Sequence, residues 1–314
     1  MAVGEARVPL LHDDRPAHHE PPTRKQLSGT VVVVTSLVAG AAAGAIAKTV
    51  IAPLDRTKIN FQTSHIPYSW KAAVGFLSHS ARTEGWAALW RGNSATMARI
   101  VPYAAIQFTA HEQWKRLLGV DTPQTAQESP LRLLAAGSLA GATSQSATYP
   151  LDLARARMAV ADYRSLRAVF RRVARHEGLH SLYRGYPATV LGVIPYAGVS
   201  FFTYDSLRNL YREHTGSEPH GATNMVCGGA AGALAQTASY PLDIVRRRMQ
   251  TAPRAACPTI VATLRAVYVN EGWRGFFKGL SMNWVKGPIA VGISFATYDS
   301  IKSTLRDIAV TVTS

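Results

Sequence analysis

Cysteine is nearly absent from this chain: Cys227 and Cys257 are the only two among 314 residues. Two cysteines make no disulfide framework, and neither sits in a metal-ligand spacing. Acidic residues are scarce too, 19 against 34 Lys and Arg, which leaves a net charge of +15. Such an excess suits nucleic acid, an anionic membrane surface or anionic ligands. Strongly hydrophobic composition is also missing. The mean hydropathy is +0.01, so hydropathy by itself does not settle the class. No nucleophile–base–acid set is visible, which argues against an enzyme. Residues 1–28 have no apolar signal core, and they carry Glu5, Asp13, Asp14 and Glu20. They are expected to form a disordered tail.

What is present is a set of six weakly apolar segments. Gln26–Ala47, Leu133–Leu151, Tyr186–Tyr204 and Gly221–Leu242 are 19 to 22 residues long and free of formal charge. Gly92–Ala110 is interrupted only by Arg99, and Leu280–Tyr298 only by Lys286. Each matches the ~20 residues that a bilayer crossing needs. Their many Gly, Ala, Ser, Thr and Gln residues suit close helix packing or a wet lumen better than lipid on every side. The segments predict an all-α membrane protein with six transmembrane helices.

The segments come in three copies of one unit. "APLDRTK" at 52–58 is matched by "YPLDLAR" at 149–155 and "YPLDIVR" at 240–246. Fifteen residues before each aspartate a G-x-x-x-G pair begins: Gly40/Gly44, Gly137/Gly141 and Gly228/Gly232. Each copy continues with Glu-Gly (Glu84, Glu177, Glu271) and, seven residues on, with an aromatic-basic-glycine triplet at Arg91, Arg184 or Lys278. Twenty-one residues further stands another acid with a base three residues after it. Repeats this regular define the fold unit. Residues 29–118, 130–213 and 221–306 are read as three repeats of ~90 residues, separated by polar linkers. Residues 307–314 are read as a C-terminal tail. Between the two long helices of a repeat lies a short amphipathic helix, such as "SLRAVFRRVARHEG" at 165–178, suited to the membrane interface. The bases lie in spaced membrane motifs rather than in a recognition module, which argues against nucleic acid.

The threefold P-x-D-x-x-[K/R] motif with its later triplet resembles the mitochondrial carrier family, over about residues 28–306. The resemblance implies a pseudo-threefold bundle around a central cavity, three short interfacial helices on the matrix side, and an inner-membrane exchanger that alternates between two open states.

Within that frame the motif charges can be given tasks. Pro53, Pro150 and Pro241 should bend the odd-numbered long helices. Acid and base three residues apart share a helix face. Asp55/Lys58, Asp152/Arg155 and Asp243/Arg246 could therefore pair cyclically and close one end, the matrix gate. Glu112/Lys115, Asp205/Arg208 and Asp299/Lys302 would close the other end, the cytoplasmic gate. The resemblance further implies that Gln62 and Gln250 brace the matrix gate. Ala159 stands at the equivalent place in repeat two.

Specificity is expected where the repeats disagree. Lys48 and Arg247 have no basic counterpart in the other repeats, and Arg99 and Lys286 share one repeat position at which the second repeat has Gly192; uncompensated cations in a cavity call for a polyanion such as a phosphate ester. Gly192 and Val193 stand opposite Arg99 and Lys286 in the repeat comparison, with Tyr196 one turn on. They offer a flat wall and an aromatic ring, and the resemblance implies that such a wall selects adenine. Tyr103 and Gln107 follow Arg99 on its face as secondary contacts.

The strings "LWRGNSATMARIVPYAAIQFTAHE" and "GLSMNWVKGPIAVGISF" resemble a branch of the family that carries coenzyme A. This implies exchange of coenzyme A for matrix adenine nucleotides such as ADP or adenosine 3′,5′-diphosphate. An ADP/ATP or ATP-Mg/phosphate type of carrier is the alternative; "RRRMQT" at 246–251 and the lack of an EF-hand pattern weigh against it. A non-transporting scaffold would be expected to lose gate charges, and all twelve are kept. No cofactor and no metal are expected. The expected partners are small anions and inner-membrane lipid, including cardiolipin, and the chain is expected to be monomeric.

Overall fold

The computed structural model describes residues 29–313 except 164 and 254. The tail expected over 1–28 lies outside the described residues. The elements in chain order are α1 (Gly29–Thr63), α2 (Trp70–Thr83), α3 (Asn93–Leu117), α4 (Pro123–Glu128), α5 (Pro130–Val160), α6 (Leu166–His176), α7 (Tyr186–Thr215), α8 (Gly221–Thr251), α9 (Ile260–Glu271) and α10 (Leu280–Thr313). A 3₁₀ turn follows each of α2, α6 and α9. The order is long–short–long, three times over, with α4 as an extra turn between repeats one and two.

The six long helices have 25 to 35 residues, more than the apolar segments alone. The motif prolines do not end them: Pro53, Pro150 and Pro241 lie inside α1, α5 and α8, so the charged motif continues each helix beyond its apolar stretch. A proline inside a helix removes one hydrogen bond and clashes with the carbonyl four residues back, which bends the axis. By length and composition, Val33–Thr63 and Leu179–Thr215 are apolar enough to cross a membrane. The other long helices fall short because polar and charged residues line their inner faces. Residues 307–313, expected as a tail, extend α10 instead.

The short helices share one start. Ser69, Ser165 and Thr259 cap α2, α6 and α9, each accepting from the backbone N–H three residues on at 3.1 to 3.2 Å. Their apolar sides then pack onto the bundle. Val169 and Val173 of α6 are buried against Ala95 of α3 and Ala154 and Met158 of α5.

The densest packing runs between repeats rather than within them: α3 against α5, α7 against α8, and α10 against α1. This closes a ring. The small residues buried in these contacts are chiefly alanines and serines, such as Ala136, Ala140 and Ser144 on α5. The G-x-x-x-G pairs do not carry the close packing expected of them. A Cβ at Gly44, Gly137, Gly141, Gly228 or Gly232 would meet nothing within 4 Å, and one at Gly40 would only touch Tyr298.

The triplet glycines are needed for a different reason. Gly92, Gly185 and Gly279 start α3, α7 and α10 with φ of 86°, 80° and 79°, a region that side chains disfavour. A Cβ at Gly92 would stand 2.9 Å from the Arg155 carbonyl oxygen, and one at Gly185 would stand 2.9 Å from that of Arg246. Each of these glycines thus lets the start of an even helix touch the gate base of the next repeat. Gly185→Ala is expected to lower the thermal midpoint of the solubilised protein by the left-handed cost of about 1–2 kcal/mol and more for the clash, whereas Gly137→Ala should be neutral or stabilising by up to about 1 kcal/mol.

Candidate functional site

The motif acids and bases converge at one end of the bundle. Lys58 donates to Asp243 at 2.9 Å and Arg246 donates to Asp152 at 2.6 Å. Arg155 donates to Asp55. The base of each repeat therefore holds the acid of the preceding one, and the ring of six charges expected at the matrix gate is closed. Asp55 and Asp152 are buried among these pairs. Buried ions need such complete pairing, because desolvation is otherwise unrepaid.

Two of the three seams carry a second layer. Gln250 donates to Asp152 at 2.8 Å and to the Tyr149 hydroxyl at 2.9 Å; Tyr149 in turn donates to the carbonyl of Arg184. Gln62 repeats this with Asp243 at 2.9 Å and Tyr240 at 3.2 Å, and Tyr240 donates to the carbonyl of Lys278. Each glutamine thus ties a gate acid to a triplet. In the seam between α1 and α5 both partners are alanine, Ala52 and Ala159. The missing glutamine was legible in the sequence. The missing tyrosine, its mate, emerges only from the contacts.

Sequence comparison missed another threefold set. Arg56, Arg157 and Arg248 are buried. Their Nε atoms donate to the backbone carbonyls of Ala159, Gln250 and Gln62, the brace positions of the next repeat. Their guanidinium groups also bind the Glu-Gly acids Glu84, Glu177 and Glu271. Two of these arginines are aligned, five residues after the motif aspartate, but Arg56 enters one turn earlier. That shift hid the set from a fixed-spacing comparison.

The asymmetric cations gather at the same end. Lys286 donates to Asp55 at 2.8 Å. Arg99 donates to Thr148 at 3.1 Å and to Gln145 at 2.5 Å, approaches Asp152 at 3.6 Å, and lies 4.7 Å from the centre of the Tyr103 ring. Arg247 reaches Asp152 at 3.3 Å and the side chain of Gln250 at 2.9 Å. The expectation that these cations are uncompensated is therefore corrected for three of the four: with this end closed, the gate acids hold them. Lys48 is exposed and has no ion pair among the described residues, although its amine borders the same recess as Asp55 and Arg155.

Beside this cluster a cavity of about 610 Å³ opens between α3, α5, α7 and α8. Tyr103, Gly192, Val193 and Tyr196 line it, facing Gln145 and Gln236. Val193 and Tyr196 are nearly half exposed, so the flat wall is accessible. Lys48, Arg99, Gln107, Arg247 and Lys286, also expected to contact the substrate, do not line this cavity.

The second ring is not assembled. Lys115 pairs with Glu112 of its own helix at 3.0 Å. Arg208 pairs with Glu218 of the α7–α8 connection at 2.7 Å, and Lys302 lies over the Tyr298 ring. Among the described residues none of the six bridges two long helices, so this end is open.

Replacing Asp152 by Asn removes the acid that Arg99, Arg246 and Arg247 share. A loss of about 3–5 kcal/mol in stability is expected, against about 1–3 kcal/mol for Gln250→Ala, both read by thermal unfolding in detergent. Glu177 lies outside the long helices. Hydrogen bonds from Arg157 hold its carboxyl below the ordinary range, outweighing partial burial. A depressed carboxyl stabilises the fold above its unfolded value of about 4.3, and this contribution is lost as pH falls through the folded value. The thermal midpoint should therefore drop below about pH 4.3, and Glu177→Gln should remove part of that drop.

The family described as "Mitochondrial carrier protein" matches the chain three times, at residues 29–122, 126–215 and 217–309. "Mitochondrial coenzyme A transporter SLC25A42" of Homo sapiens is 55% identical over 282 residues, covering 87% of this chain and 89% of that protein. "Mitochondrial carrier protein CoAc2" of Zea mays is 35% identical over 301 residues, covering 88% of each. "Solute carrier family 25 member 16" of Homo sapiens is 38% identical, covering 85% of this chain and 87% of that protein. Three complete copies of the family unit, with gates and triplets placed as described, leave one conclusion: the chain belongs to the mitochondrial carrier family, a family of membrane transporters and not of enzymes.

Proposed function

We propose that this carrier imports coenzyme A across the mitochondrial inner membrane in exchange for matrix adenine nucleotides, ADP or adenosine 3′,5′-diphosphate, by alternating access. One observation carries the reading. Around the closed end seven cations (Lys48, Lys58, Arg99, Arg155, Arg246, Arg247 and Lys286) stand against three aspartates, an excess of four positive charges. Even with every gate acid paired, a ligand carrying several phosphates is needed to balance them. The open flat wall at Gly192, Val193 and Tyr196 suits the adenine ring of such a ligand. The names of the relatives over 50% identical point to the same substrate.

The pairing suggests how binding could release the gate. A phosphate drawn to Arg99 and Lys286 competes with Asp152 and Asp55 for them. Each cation that moves onto the ligand weakens the ring, and the seam between α1 and α5 has no glutamine to hold it. A ligand shifts the equilibrium only through its different affinity for the two states, and these shared cations would supply that difference. The reading includes a monomer surrounded by inner-membrane lipid, cardiolipin among it, with no cofactor.

In liposomes loaded with ADP, the reconstituted protein is expected to take up labelled coenzyme A only when the internal nucleotide is present. ADP-independent uptake, or none, would reject the exchange. Arg99→Ala and Lys286→Ala should each abolish uptake while keeping a cooperative thermal transition; near-normal rates in both would place the site elsewhere.

A further inference from the structure

Seven residues before the motif aspartate the repeats hold Lys48, Gln145 and Gln236. Where repeat one presents a cation, repeats two and three present carboxamides. Both glutamines line the 610 Å³ cavity, from α5 and from α8. Gln145 uses its oxygen to accept from Arg99, and its Nε2 is buried without a partner. The side chain of Gln236 has no hydrogen-bond partner among the described residues. The buried Gln145 donor costs free energy unless something else accepts from it, and the half-buried Gln236 carboxamide is open to a ligand in the same cavity. Nothing in the gate or the braces uses these two groups.

We propose that Gln145 and Gln236 form a subsite for the neutral, amide-bearing arm of the substrate, separate from its phosphates and its base. The inference rests on the proposal that coenzyme A is the substrate. That molecule combines three chemistries: phosphates, a purine and a flexible arm with two amides. The cations on α1, α3 and α10 suit the first, and the wall on α7 suits the second. The arm needs a recess that is mostly apolar but offers a few amide donors and acceptors, since its own carbonyl and N–H groups must be matched on leaving water. Carboxamides meet both requirements, because each carries two donors and an acceptor. A lysine or arginine at either glutamine position would attract phosphate instead. The difference between Lys48 and the two glutamines thereby separates the charged end of the ligand from its neutral end. Gln145 stands at the border, holding Arg99 with its oxygen and offering its nitrogen to the arm.

The test compares two ligands that share an adenosine with 3′- and 5′-phosphates; coenzyme A adds a second phosphate at the 5′ end and the arm. Wild type, Gln236→Leu and Gln236→Asn of the full chain are reconstituted into ADP-loaded liposomes, and uptake of labelled coenzyme A and of labelled adenosine 3′,5′-diphosphate is measured. Leucine keeps the bulk and removes the carboxamide. The KM for coenzyme A is expected to rise about tenfold, the effect of losing one buried hydrogen bond, with the KM for adenosine 3′,5′-diphosphate unchanged. Gln236→Asn draws the carboxamide back by one methylene and should give a smaller rise for coenzyme A alone. If the leucine variant does not fold, the asparagine variant decides by the same comparison. An equal rise for both ligands, or no change for coenzyme A, overturns the subsite. If wild type carries adenosine 3′,5′-diphosphate but no coenzyme A, it is the proposed substrate that fails.

Discussion

Three aspartates, two of them buried and each held by the base of the neighbouring repeat, are the contact on which this bundle depends. No aspartate is paired with the base on its own helix, although that base lies only one turn away. A pair within a helix would satisfy the charges but join nothing. Pairing across repeats converts the same charges into a closed ring, and the ring draws the ends of α1, α5 and α8 together. The triplet glycines then let α3, α7 and α10 start against those ends. The buried arginines Arg56, Arg157 and Arg248 tie the short helices to the brace positions one repeat further on. The gate bases reach back to the preceding repeat and these arginines reach forward to the following one, so each seam is tied from both sides.

Departures from threefold order are concentrated at this end and have a common direction. The seam between α1 and α5 lacks both glutamine and tyrosine, while Asp55 there gains Lys286 as a second cation. Asp152 is surrounded by three arginines, whereas Asp243 is held by one lysine and one glutamine. Symmetric parts close the end, and asymmetric cations are lent to it. In the proposed exchange such a group would serve a gate acid or a ligand in turn and couple the two without a separate relay, because the same hydrogen bonds are exchanged. The open second ring is consistent with one end closing at a time.

The sequence by itself determined the repeat, the six long helices, and which charges form the closed ring. It could do so because these features recur at fixed spacing, and the periodicity of a helix turns spacing into a shared face. The brace at Gln62 and Gln250 was legible on the same ground through the family resemblance, and so was its absence at Ala159. Features that recur at shifted spacing were not legible, as Arg56 against Arg157 and Arg248 demonstrates. Nor were the tyrosines: Tyr149 and Tyr240 sit beside the motif prolines, but their partners are a glutamine and a carbonyl from different parts of the chain.

Only the tertiary structure decided which end is closed and what Arg99, Arg247 and Lys286 are bonded to. Alone in their helices Arg99 and Lys286 read as unpaired, since no acid on the same helix faces them, while Arg247 would be assigned to Asp243 one turn before it. Their acids come from neighbouring repeats more than 45 positions away, brought near by the ring itself. The glycine pairs are the converse case: their spacing suggests contact, yet with the second end open five of the six have nothing against them. Spacing along one helix states which residues share a face. Which neighbour that face meets depends on how the helices are tilted, and that is a property of the whole bundle.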